Sequence, residues 1–266
     1  MRIPLGFLLN ILFFSQLYAQ VPPAFSKTQI LSYPRDGFGL LKAPLTWGKK
    51  ECARALVSTA IIYGAYTLDE EVLALVRQEP NNSLATGFLS GSRHWGSGLY
   101  SFPVFAGLYF YGKFKDNPRH QLTAMNATKA FVLSRVLVQI PKFLFQRHPP
   151  QMLGFAQKSD LDGPLGGGIN RSFPSGHVIS IFSAAEVFRL SYDNWWVGTL
   201  VYTLAGTVAL QRIGSGAHWF SDVTTSAVCG AAIGHWLSTK GSTPFSLISG
   251  TTAHLNVRTF GLVYNF

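Results

Sequence analysis

The chain has 266 residues, of which 47% are hydrophobic, 14% aromatic and only 13% charged, with a formal net charge of +10. That composition excludes a disordered chain, and a mean hydropathy of +0.20 is low for a polytopic membrane bundle. The excess of Lys and Arg implies an anionic partner, either phosphate groups or an acidic lipid surface. No Lys/Arg-rich run tracks a nucleic-acid backbone, so nucleic acid is not expected.

Residues 1–19 read as a secretory signal peptide. Arg2 forms a short positive region, Leu5 to Phe14 an apolar stretch, and Leu17-Tyr18-Ala19 offers a small residue at the cut. The mature chain is therefore expected to be exported, to a periplasm or an envelope membrane surface. Residues 20–48 contain Pro22, Pro23, Pro34, Gly37, Gly39 and Pro44 and are expected to form an extended lead-in. Helical periodicity then predicts helices over about 50–66, 69–78, 99–113, 121–146, 177–192, 194–212 and 218–238. Breakers separate them, among them Pro80-Asn81-Asn82, Gly96 with Gly98, and Asp116-Asn117-Pro118. The fold class expected is all-α: a bundle of about six core helices within residues 49–240. The loop at 147–174 is long enough to suggest a functional role. Lys129, Arg135 and Lys142 interrupt one predicted helix, and Asp222 and His235 another, which disfavours spans. Only 194–211 runs eighteen residues without a charge, and it reads as a core helix in a tight bundle with some membrane contact. The tail, 241–266, alternates at Leu255, Val257, Phe260, Leu262, Tyr264 and Phe266 and is expected to form a short β-hairpin. Export permits a Cys52–Cys229 disulfide, but both lie in helical segments and read as buried thiols. Two cysteines cannot build a Cys-rich zinc site. Asp69-Glu70-Glu71 suits the positive end of a helix better than a metal site. His94, His120, His235 and His254 have no partner at a telling spacing.

Three clusters carry candidate chemistry. In the last, His218 and Asp222 are four residues apart, one helical turn. A carboxylate there is placed to accept the imidazole Nδ1–H and leave Nε2 as a nucleophile. Gly214 and Gly216 permit a turn that brings Arg212 back, and a guanidinium matches two phosphate oxygens. In the middle cluster, Ser175 and Gly176 open a helix whose first N–H groups cradle anions, with His177 in the first turn as a proton donor. The first cluster runs from Lys142 to Arg147-His148-Pro149-Pro150. Together they make a metal-free phosphoryl-transfer set.

Pro174-Ser175-Gly176-His177 and Arg212-x5-His218-x3-Asp222 resemble the type 2 phosphatidic-acid phosphatase/haloperoxidase superfamily, whose signature is K-x6-R-P, then P-S-G-H, then S-R-x5-H-x3-D. The resemblance covers roughly residues 50–240, and Gln211 stands where the third motif has Ser. It implies an α-helical bundle with the site at helix ends. By the same resemblance His218 is the nucleophile that becomes phosphohistidine, Asp222 its orienting carboxylate and His177 the general acid. Lys142, Ser175, Gly176 and Arg212 are the implied phosphate cradle. The first motif departs: Pro149 stands where the family has Arg, so one clamp is missing. Arg147 is expected to swing in as its substitute, the alternative being that it faces solvent. Losing such a clamp costs roughly 1.5–3 kcal/mol, which weakens an enzyme without abolishing it. The function expected is a metal-independent exported phosphatase, with no cofactor, acting on a phosphomonoester or a lipid or isoprenoid (di)phosphate. Two alternatives stand: a catalytically impaired phosphate- or lipid-binding envelope protein, and a haloperoxidase in which His218 ligates vanadate. The sequence specifies neither the substrate nor an oligomeric state.

Overall fold

The computed structural model describes residues 26–78, 83–151, 161–164, 171–192, 194–241, 247–250 and 259–262. In chain order the helices are α1 (Lys27–Lys42), a 3-10 turn (Ala43–Thr46), α2 (Lys49–Thr67), α3 (Asp69–Gln78), α4 (Ser83–Ser97), α5 (Ser101–Phe114), α6 (Pro118–Leu137), α7 (Gln139–Phe145), α8 (Gly176–Ser191), α9 (Trp195–Gly214) and α10 (Phe220–Thr239). Strands β1 (Leu247–Gly250) and β2 (Thr259–Leu262) pair antiparallel, Leu247 opposite Leu262. The all-α bundle with a short β tail is as expected. The signal peptide and the Leu255–Val257 and Tyr264–Phe266 alternations lie outside the described residues.

Helix α8 is the central element, packed on α10, α6 and α9. Its contact with α10 is a seam of small residues. A Cβ on Gly230 would stand 2.5 Å from the Ile179 carbonyl, and one on Gly234 would collide with the Ser183 carbonyl. These two glycines are one turn apart, so they let the backbones of α8 and α10 meet along one face. Phe105, Ala127, Phe131, Ala184, Val187 and Leu237 form the core around this seam. The seam places the N-termini of α8 and α10, with His177 and Asp222 in their first turns, at one end of the bundle.

Several elements depart from expectation. The lead-in is helical over Lys27–Lys42 despite Pro34. Ser26 caps it by accepting the Gln29 N–H, and Asp36 forms a buried pair with Lys129 of α6 at 3.0 Å. That tertiary pair outweighs the local breaker signal. Likewise Gly96, expected to interrupt, lies inside α4, where a Cβ would stand 2.7 Å from the His177 Cβ. The helix expected over 121–146 is divided at Val138, because Pro141 has no N–H for the Leu137 carbonyl. Both cysteines are unbridged, and Cys52 is exposed rather than buried. No helix among the described residues is long and apolar enough to cross a membrane. Even so, large apolar side chains face outward, among them Leu56, Phe110, Phe114 and Leu200, and a stacked Trp195–Trp196 pair.

Candidate active site

A cavity of about 350 Å³ opens where these helix ends meet, lined by Lys142, Arg212, Gly176, His177 and His218 together with Arg135, Arg171, Ser172 and Pro149. Five of the expected residues therefore share one cavity. Four cations face it, and Lys142 is further held by donating to the Arg171 carbonyl. Burial lowers the Lys142 pKa to about 8; Asp222 opposes the drop, while Arg135, Arg171 and Arg212 add to it. Burial, then Arg212, Arg135, His218 and Lys142, drive His177 down to about 3. The cavity thus concentrates positive charge and holds His177 neutral at neutral pH.

His218 is buried, and its Nδ1 lies 2.6 Å from the Ser172 carbonyl. A carbonyl only accepts, so Nδ1 carries the proton and Nε2 keeps a lone pair. Asp222 was expected to take that proton, but its Oδ2 is 3.8 Å from Nδ1. The carboxylate acts on the ring through charge. Burial lowers the His218 pKa, Asp222 offsets part of the drop, and Lys142 and Arg212 add to it. Asp222 itself is fully buried; burial pushes its pKa up, yet His218, Arg147 and the Trp219 N–H hold it below the ordinary value.

Arg147 does not enter the cavity, nor does it face solvent. Gln146, in the left-handed region at φ 43°, ends α7 and turns the chain inward. The Arg147 guanidinium then donates to Asp222 Oδ1 at 2.5 Å, Ser221 Oγ at 2.8 Å and Asp69 Oδ2 at 2.7 Å. Trp219 and Tyr66 lie against it at 5.2 and 5.5 Å. Asp69 also accepts the Ser221 N–H at 2.7 Å, at the N-terminus of α10. Two buried carboxylates and one guanidinium thus form a triad behind His218.

Ser175 is the N-cap of α8, but its Oγ caps nothing and has no partner among the described residues. Its backbone N–H donates to Ser226 Oγ at 2.6 Å, and Ser226 donates to the Asp222 carbonyl at 2.6 Å. The N-cap of α8 is thereby stitched to the second turn of α10. Sequence reasoning missed Arg135, Arg171 and Asp69. Arg135 carried a usable signal, since it precedes Lys142 by seven residues, two helical turns. Asp69 carried none, because its partner Arg147 is 78 residues away.

A helical bundle with a cationic, histidine-bearing cavity at converging helix ends is the arrangement the motifs imply for a phosphatase of the type 2 phosphatidic-acid phosphatase class. Residues 123–243, the segment that holds every expected site residue, match the PAP2 superfamily. Over 72 residues the chain is 36% identical to a lipid A 1-phosphatase of Porphyromonas gingivalis, covering 25% of this chain and 16% of that protein. Over 112 residues it is 31% identical to the bacitracin transport permease protein BcrC of Bacillus licheniformis, covering 42% of this chain and 52% of that protein. The chain therefore spans about half or less of the length of these relatives. Two solved structures are similar. Aquifex aeolicus LpxE is 26% identical, with a TM-score of 0.48 over 63% of this chain and 93% of that one. The PAP2 type phosphatidylglycerolphosphate phosphatase of Bacillus subtilis is 21% identical, with a TM-score of 0.49 over 69% of this chain and 90% of that one.

Proposed function

We propose that the protein is an exported phosphohydrolase that removes phosphate from a lipid or isoprenoid (di)phosphate at an envelope surface, with His218 as nucleophile. The observation that carries this reading is the Ser172 carbonyl at His218 Nδ1, which leaves Nε2 unprotonated in a cavity rich in cations. In the first step Nε2 attacks phosphorus, the bond to the leaving oxygen breaks, and His177 protonates that oxygen. In the second, water attacks the phosphorus, its proton passes to His177, the P–Nε2 bond breaks to restore the His218 lone pair, and inorganic phosphate leaves. Lys142, Arg212, the Ser175 hydroxyl and the first N–H groups of α8 offset the charge on the phosphoryl oxygens. His177 is neutral in the empty cavity, so its proton arrives when the anion binds and raises its pKa. A lipid substrate is favoured by the exposed Ile140, Phe143, Leu144 and Phe145, which share α7 with Lys142.

Brief incubation with a 32P-labelled lipid phosphate tests this. The wild-type protein is expected to retain acid-labile label and His218→Ala none; label that survives His218→Ala overturns the mechanism. Phosphate binding without turnover in the wild type would instead favour the non-catalytic alternative.

A further inference from the structure

Lys142, Arg171 and Arg212 are not the whole cationic wall. Arg135 lies in the last turn of α6, and its side chain reaches the cavity beside Gly176. A Cβ built on Gly176 would stand 3.2 Å from Arg135 Nη1, so this nitrogen sits at the opening turn of α8. Nη1 is out of contact with solvent and has no hydrogen-bond partner among the described residues. An unsatisfied buried guanidinium nitrogen is costly, and a small turn of the guanidinium toward the cavity that Arg135 lines would offer it to a bound anion. Pro149 lines the same cavity and has neither charge nor N–H to offer.

We propose that Arg135 is a phosphate-binding residue of this cavity, supplying from α6 the guanidinium that position 149 lacks. The inference rests on the phosphatase reading above and adds a residue to it. Two features make α6 a suitable source. Arg135 and Lys142 are two turns apart and line one cavity although the chain breaks at Val138 between them. The helix is anchored on the core by Ala127, Ala130 and Phe131, so the guanidinium is offered from a rigid base. The missing side chain of Gly176 leaves room for Arg135 at the opening turn of α8.

The test is calorimetric binding of inorganic phosphate to the full chain, alongside turnover of a lipid phosphate. Arg135→Gln keeps the stem and removes the charge. It is expected to weaken phosphate binding on the order of tenfold or more, with a comparable loss in kcat/KM. The unfolding midpoint without phosphate is expected to stay within a few degrees of wild type. Pro149→Arg in the Arg135→Gln background is expected to recover part of the affinity. Phosphate affinity unchanged in Arg135→Gln overturns the proposal, and if His218→Ala still abolishes labelling the phosphatase reading survives. Turnover that persists in His218→Ala overturns that reading first, whatever Arg135 does.

Discussion

Replacing Arg147 by Met removes the cation between Asp69 and Asp222 while keeping most of the side-chain volume. Both carboxylates are essentially fully buried, and the guanidinium contacts them at 2.7 and 2.5 Å. Removing one member of a buried ion pair typically costs roughly 3–5 kcal/mol, because the remaining charge stays desolvated and unpaired. Against a typical stability of about 5–15 kcal/mol this is a large fraction. At about 2–4 °C per kcal/mol for a chain of this size class, the unfolding midpoint of Arg147→Met is expected to fall by roughly 6–20 °C. Far-UV circular dichroism during heating measures it. The double variant Arg147→Met/Asp69→Asn removes one of the stranded charges and is expected to recover part of the loss. A midpoint for Arg147→Met within 2 °C of wild type would refute the reasoning. If Arg147 were a phosphate clamp instead, the single variant would keep its midpoint and lose phosphate affinity, so the two roles separate cleanly.

Three further outcomes follow from the charge and packing at the site. Binding of inorganic phosphate at pH 8 is expected to take up protons, because His177 is held near 3 and Lys142 near 8 only while the cavity is empty. Titrations in buffers of different ionisation enthalpy should give a positive slope; a slope of zero or below contradicts the account. The kcat/KM of the wild type is expected to decline as pH rises through about 8, where Lys142 loses its charge, and Lys142→Arg should move that limb to higher pH. Gly96→Ala sets a methyl 2.7 Å from the His177 Cβ and 2.9 Å from its carbonyl, an overpacking of about 1–3 kcal/mol. It should lower kcat more than phosphate affinity, and equal loss of both would point to general unfolding instead.

Part of the site is legible in the sequence for a physical reason: Arg212, His218 and Asp222 lie in one short segment, with His218 and Asp222 one helical turn apart. His177 joins them only through the packing of α8 on α10. What the sequence left hidden depends on contacts between distant segments. Asp36 with Lys129, which holds α1 helical through Pro34, is one such contact. Arg147 with Asp69 is another, and it turned an expected clamp into a buried counter-ion. The Nδ1 partner of His218 was missed because a backbone carbonyl has no residue-type signature; any residue at 172 presents one. Gly96 was read as a breaker because a helical glycine that makes room for a neighbouring helix looks the same in sequence as one that ends a helix.

The triad also sets the size of the smallest transplantable unit. The segment that matches the family begins at residue 123, while the carboxylate that balances Arg147 stands at 69, in the first turn of α3. A chimera that exchanged only the matched segment with a relative would inherit Arg147 and Asp222 without their third charge. Where the recipient has no carboxylate at the position of Asp69, the buried charges would be left unbalanced. Recombination of this site between proteins should therefore succeed only when the crossover falls upstream of Asp69, so that Asp69, Arg147 and Asp222 travel together.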